Sequence, residues 1–171
     1  MAPKKNVHLM VAMMKHLPQY ELVLAGYCPP SYRAMLDEII RKEALTNVHF
    51  LGNVTEEQKA LLFRQCDAFL FPSLSEGFGL PVVEAMYFGK PVFCSRLTSL
   101  PEIGGDVACY FDVLQPAEMA QTVVDGMKAF GETPDYGVRL RAHAEQFSWP
   151  VATDAYLKYY LDIARSSVKD D

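Results

Sequence analysis

Five short apolar runs, at 20–25, 48–51, 68–71, 91–94 and 108–111, are separated by stretches whose apolar residues recur at helical spacing. Adjacent parallel strands need a crossover of a dozen or more residues, usually a helix. This alternation therefore predicts an α/β fold, a parallel sheet with helices on both faces. The run at 68–71 is continuously apolar, as a strand buried on both faces should be. The first helical pattern (Val7, Met10, Val11, Met14, Leu17, halted by Pro18) has no strand ahead of it. Its methionines read as core packing.

Pro29-Pro30-Ser31 opens a second helix with an expected inner face of Met35, Leu36, Ile39 and Ile40. Thr55 and Gln58 form a T-x-x-Q capping box at the head of a third. Pro81 suits the first position of a fourth and Gly89 its end. Beyond Pro116 the pattern is helical, over 119–130, 136–146 and 151–164, and the polar tail at 166–171 is expected to fray. The expected division is an α/β unit at 1–147 and a C-terminal helix with its tail at 148–171.

At 171 residues the chain can bury a core without disulfides or metals. Its formal net charge of −5 and the lack of any basic run beyond Lys4-Lys5 argue against nucleic acid as a partner. No apolar stretch reaches 18 residues, so no transmembrane segment is expected. The four cysteines are far apart without a C-x-x-C pair, as free thiols of a reducing cytosol would be. The histidines lack metal-ligand spacing, and no metal site is predicted.

The loop most suited to chemistry follows the 68–71 strand: Pro72-Ser73-Leu74-Ser75-Glu76-Gly77-Phe78-Gly79-Leu80-Pro81. In open parallel sheets ligands bind beyond the carboxyl ends of the strands, where helix N-termini also point. Glycines allow close backbone approach, and first-turn N–H groups favour an anion such as phosphate. Glycines required by the turn alone are the plainer alternative. Glu76 lies in this loop, and Glu84 falls eight positions later, on the expected first turn of the next helix. A carboxylate beside a phosphate site suits neutral hydroxyls, since its two oxygens accept from both hydroxyls of a diol. A helix-dipole partner for Glu84 and a solvated loop charge for Glu76 are the structural alternatives.

The string from Glu76 through Gly-Phe-Gly-Leu-Pro-Val-Val to Glu84-Ala-Met, followed by Gly89-Lys-Pro-Val, resembles the E-x7-E signature of the retaining glycosyltransferases once called group 1 (glycosyltransferase family 4). Asn47-Val-His-Phe-Leu-Gly-Asn-Val54, Cys66-Asp-Ala-Phe-Leu-Phe-Pro-Ser73, Leu100-Pro-Glu102-Ile-Gly and Phe147-Ser-Trp149 match further family landmarks in order. The resemblance covers nearly the whole chain. It implies the C-terminal, donor-binding half of a GT-B enzyme, in which two Rossmann-like domains enclose the active site.

Carried over by position, the resemblance assigns Glu84 to the donor's ribose hydroxyls and Glu76 to hydroxyls of the transferred sugar. It assigns the amides of Gly77, Phe78, Gly79 and Leu80 to the sugar and pyrophosphate, and Val54, with the backbone around Gly52 and Asn53, to the base. Lys59 would flank that pocket, although a solvated helix lysine is its plainer reading. Lys5 fits the family lysine that stabilises charge on the leaving pyrophosphate, as cationic clamps do where charge develops. The matching Arg and its strand would precede Met1, so a fragment of a longer protein is expected. Glu102 suits a structural role, and Arg96 reads equally as a phosphate contact or a surface charge. Tyr156, Tyr159 and Tyr160 lie on a helix that in GT-B enzymes usually crosses to the other domain.

The implied partners are a nucleotide-sugar donor (UDP- or GDP-sugar), the missing N-terminal domain, and a glycan or lipid-linked acceptor in envelope polysaccharide assembly. The implied reaction transfers a hexose with retention of configuration and no cofactor. No D-x-D motif occurs, in keeping with metal-independent transfer. The implied setting is cytoplasmic, peripheral to the inner membrane face in the full-length protein. Competing expectations are a non-catalytic nucleotide-sugar-binding module and a glycogen-synthase-like or epimerase-like GT-B relative.

Overall fold

The computed structural model describes residues 1–167; the part of the expected frayed tail beyond 167 lies outside the described residues. Five strands alternate with helices: β1 (Leu22–Ala25), β2 (Val48–Gly52), β3 (Phe69–Phe71), β4 (Val92–Ser95) and β5 (Cys109–Phe111). Before β1 stand a 3-10 turn (Pro3–Lys5) and α1 (Val7–Met13), which tightens into a 3-10 turn (Met14–His16) before Pro18. Then follow α2 (Pro30–Lys42), α3 (Glu56–Gln65), α4 (Leu80–Tyr87) and α5 (Leu100–Gly104), each after a strand. Three consecutive helices close the chain: α6 (Pro116–Glu132), α7 (Tyr136–Glu145) and α8 (Trp149–Ser167).

All pairings are parallel, but the sheet is in two pieces, β1 with β2 and β3–β4–β5 in that order. The expected α/β architecture of parallel strands and helices is present, and its strands fall into two sheets: among the described residues no strand pairs with both β1 and β3. Residues 1–6 bridge them instead. The terminal ammonium donates to the Tyr27 carbonyl just beyond β1. The Lys4 carbonyl accepts from the Leu74 amide at 2.7 Å, and the Asn6 side chain donates to the Pro72 carbonyl at 2.9 Å, both beyond β3.

β3 is only half-buried along its length, whereas β4 is buried at every position. The expectation of burial on both faces belongs to β4, the middle strand of its sheet, and not to β3, which among the described residues pairs on one side only. Phe93 of β4 faces a cluster formed by α1, α2 and α6 with Leu22, Leu24 and Phe111. Val92 and Cys94 face the opposite cluster, of α4, α5 and α7 with Phe63 of α3. Burial pushes the Cys94 thiol up to about 12.

Local signals explain most helix ends. The capping box forms as expected, with the Gln58 amide donating to Thr55 Oγ1 at 3.2 Å and the Thr55 amide to Gln58 Oε1 at 2.9 Å. The methionines at 10, 13 and 14 are core. On α2 the inner face is Tyr32 and Leu36, with Ile39 and Ile40 at its margin; Met35 is exposed, contrary to expectation. No helix among the described residues is long and apolar enough to cross a membrane.

Gly126 on α6 sits against the buried β4 ring. A Cβ there would lie 2.4 Å from Phe93 Cε1 and 2.8 Å from Cys109 Sγ. Helix propensity alone favours Gly126→Ala by about 1 kcal/mol. Overpacking a core contact costs about 1–3 kcal/mol and should win. Urea unfolding of Gly126→Ala should show a net loss of stability; a gain would mean that α6 shifts freely away from β4.

Candidate functional site

Parallel pairing brings together the carboxyl ends of β1 and β2 and, in the other piece, those of β3, β4 and β5, and residues 1–6 touch the chain just beyond both β1 and β3. The loop between β3 and α4 lies there, fastened from both sides. From below, the Ser95 hydroxyl donates to the Ser73 carbonyl. From the turn after β4, the Ser99 hydroxyl donates to the Glu76 and Phe78 carbonyls (3.2 and 2.7 Å), while Thr98 Oγ1 accepts from the Glu76 amide at 3.1 Å. Phe147, from the landmark after α7, packs edge-on against Phe78 with centroids 5.9 Å apart. Thr98 and Ser99 carry no motif that marks them. Their position directly after a strand's carboxyl end is the signal that finds them.

The two loop glycines differ in cause. Gly79, the N-cap of α4, has φ +110°, and a Cβ there would lie 2.9 Å from Leu100. The fold itself requires this glycine. Gly77 has no protein atom within 4 Å of a Cβ position. The steric explanation thus accounts for Gly79 and leaves Gly77 free for another purpose. The amides of Gly77, Phe78, Gly79 and Leu80 donate to no protein acceptor among the described residues. They form a row of donors at a helix N-terminus, an arrangement suited to an anion.

Each of the two carboxylates is met by a lysine. Lys5 donates to Glu76, whose side chain is only 12% exposed, and its ammonium sits 4.8 Å from the centre of the Phe71 ring. Lys59 donates to Glu84 at 3.0 Å and also reaches Glu56 at 2.8 Å. Its pKa is raised by the hydrogen bonds to Glu56 and then Glu84. Glu84 is on the second turn of α4, because the helix begins at Leu80; this corrects the expected first-turn position and weakens the dipole explanation, which fades beyond the first turn. The Lys59–Glu84 pair is about one-third exposed at both ends. Such pairs are worth about 0–1 kcal/mol, so a ligand hydroxyl can displace the lysine at small cost.

Across residues 1–6 from this loop, a cleft of about 430 Å³ opens at the carboxyl ends of β1 and β2. Gly26, Phe50, Gly52 and Asn53 line it, and Val54 is half-buried in the turn that follows. The wall of the cleft thus ends at Asn53, one residue short of the expected base contact at Val54. Arg96 is engaged elsewhere, with Asp112 at 2.8 Å and over the Tyr110 ring. Glu102 is exposed on the first turn of α5. No cluster of three potential metal ligands occurs among the described residues.

The sequence pattern of the family described as glycosyl transferases group 1 matches residues 1–145. The chain belongs to this family. It is 31% identical over 165 residues to O-antigen chain mannosyltransferase B of Escherichia coli, covering 94% of this chain and 43% of that protein. With an MMP alpha-(1->4)-mannosyltransferase of Mycolicibacterium hassiacum it shares 34% identity over 174 residues, covering 95% and 41%. HepE of Anabaena, solved with UDP and glucose, superposes with a TM-score of 0.80 at 24% identity over 94% of this chain and 45% of that one. Sucrose-phosphate synthase of Thermosynechococcus elongatus superposes with a TM-score of 0.82 at 22% identity, covering 96% and 44%. These likenesses show the fold, a Rossmann-like half of the GT-B architecture. The chain spans less than half the length of these relatives.

The two glycines give a direct test. Gly79→Ala forces a side chain into a left-handed conformation and into Leu100, and should cost at least about 1 kcal/mol. For a domain of this size that is a fall in Tm of roughly 2–4 °C or more. Gly77→Ala should leave Tm nearly unchanged. Equal losses in thermal unfolding would show that both glycines serve the turn alone.

Proposed function

We propose that the chain is the donor-binding domain of a retaining glycosyltransferase that uses a nucleoside-diphosphate sugar. The observation that carries this reading is the loop at 76–80. It combines unpaired backbone donors, a glycine that no protein contact demands, and two flanking carboxylates. Phosphate oxygens would take the amides of 77–80. Glu84, releasing Lys59, would accept the ribose hydroxyls, and Glu76 would accept hydroxyls of the transferred sugar. Asn53 and the neighbouring backbone would border the base. The mannosyltransferases among the relatives favour a hexose donor and a polysaccharide or lipid-linked acceptor.

Lys5 has three N–H groups and gives one to Glu76, which leaves others for the diphosphate. In the proposed reaction the anomeric carbon's bond to the leaving phosphate oxygen breaks through an oxocarbenium-like transition state. The acceptor oxygen bonds to the same face of that carbon, and its proton passes to the phosphate. Negative charge grows on the diphosphate as the bond breaks, so a cation beside it stabilises the transition state more than the ground state. Lys5 would supply part of that stabilisation. The acceptor site and the remaining cations are assigned to a second domain of the whole protein. This domain is therefore expected to bind donor without transferring sugar at a useful rate.

Titration calorimetry with nucleoside diphosphates tests the reading. One of them should bind, and Glu84→Ala should weaken it by roughly tenfold or more, the loss of a charge-assisted pair of hydrogen bonds. Unchanged affinity in a folded Glu84→Ala variant would remove Glu84 from the site. Sugar transfer by this chain alone would overturn the division of labour.

A further inference from the structure

The cleft at the ends of β1 and β2 holds one charged side chain that the foregoing description does not use. Arg33, on the first turn of α2, reaches the wall of this cleft, and its guanidinium lies 3.7 Å from the centre of the Phe50 ring. Its Nε donates to Asp37 one turn later, at 2.8 Å. The aromatic face and the carboxylate together fix the plane and the rotation of the group. Its two terminal nitrogens donate to no protein acceptor among the described residues. A planar fork of donors is thus held in place at the cleft with its outer edge unsatisfied.

Two stretches of chain lead from the wall of this cleft to the residues of the proposed donor site. Asn53 on its wall lies two residues before Thr55, which caps α3, and Lys59 of α3 holds Glu84. The Tyr27 carbonyl on its other wall accepts from the Met1 nitrogen, and Lys5, four residues further on, holds Glu76. On the donor-binding reading, a ligand with its ribose at Glu84 and its phosphates at the 76–80 loop would place its base in this cleft, the one formed at the ends of β1 and β2.

We propose that Arg33 selects guanine, so that the donor is a GDP-sugar; the proposal rests on the donor-binding reading above. A guanidinium fork matches two adjacent acceptors, and guanine presents O6 and N7 side by side. Adenine places an N6 donor next to N7, which would face the fork donor to donor. Uracil offers a single acceptor, O4, on the corresponding edge, next to a carbon. The fork therefore discriminates among bases by pattern and not by charge. HepE, solved with UDP, is 24% identical and does not fix the base used here.

The experiment is calorimetric titration of the chain with GDP, inosine diphosphate, 7-deaza-GDP, ADP and UDP. Inosine diphosphate keeps O6 and N7 and should bind within about threefold of GDP. The 7-deaza analogue, ADP and UDP should each bind roughly tenfold or more weakly, the discrimination of one bidentate base contact. Arg33→Lys retains the charge but not the fork. It should bring GDP down to the affinity of UDP and leave UDP unchanged.

UDP binding as tightly as GDP, or a guanine preference that survives Arg33→Lys, would overturn the assignment of Arg33 and leave the donor reading intact. Equal weakening of every nucleotide in Arg33→Lys would make it a phosphate contact and overturn it likewise. No binding of any nucleotide would overturn the donor reading itself. The analogue series uses the unmodified chain, so the proposal is testable even where a variant fails to fold.

Discussion

Strand β4 touches both layers of the molecule at once, with Phe93 in the cluster under α1, α2 and α6 and its neighbours Val92 and Cys94 in the cluster under α4, α5 and α7. A slip of one residue would exchange those faces, so its register is tightly specified. Because β3 and β5 pair with it in parallel, their carboxyl ends are fixed with it. Ser95 at its end and Thr98 and Ser99 just beyond then hold the loop after β3 by four hydrogen bonds. The precision of the candidate site is thus inherited from core packing below it, and the loop itself contributes little rigidity.

The two pieces of sheet meet through residues 1–6, which contact the ends of both β1 and β3 and carry Lys5 to Glu76. A parallel strand offers N–H and C=O groups on both edges, and those of β1 and β3 that face this seam have no strand partner among the described residues. Hydrophobic continuity compensates in part, since Leu22 and Leu24 of β1 share a cluster with Phe93 and Phe111 from the other piece.

Much of this was legible in the order of residues. Five strands appear where the apolar runs placed them, and the capping box and Gly89, with φ +69°, mark helix ends as their types require. What the pattern could not show was partnership. Ala68 to Phe71 and Pro91 to Cys94 read alike as apolar runs, and only pairing decides which becomes the buried middle strand. Met35 falls at helical spacing but lies on the open side of α2, because Tyr32, anchored by the His8 amide to its hydroxyl, takes the inner position. The E-x7-E spacing was visible at once, whereas the lysine that meets each glutamate comes from a distant part of the chain. Arg33 carries no sequence signal at all; its stacking on Phe50 exists only once β2 and α2 are side by side.

The pairing of both glutamates with lysines bears on how such a site can accept a highly charged ligand. Two carboxylates alone would repel a diphosphate, and two free lysines would hold it without discrimination. Two matched pairs leave the region near neutrality, so the attraction must come from geometry. In the proposed site the backbone donors at 77–80 would face the anion, and the carboxylates would turn to neutral hydroxyls. The exposed Lys59–Glu84 pair yields at little cost, while the more buried Lys5–Glu76 pair keeps its cation in place beside the loop. A ligand that brings both a diphosphate and diols satisfies every group in the arrangement. Inorganic diphosphate would satisfy only the donors, and a free sugar only the acceptors. The selectivity of the site for a nucleoside-diphosphate sugar would then follow from hydrogen-bond complementarity across its whole length, with net charge in a minor role.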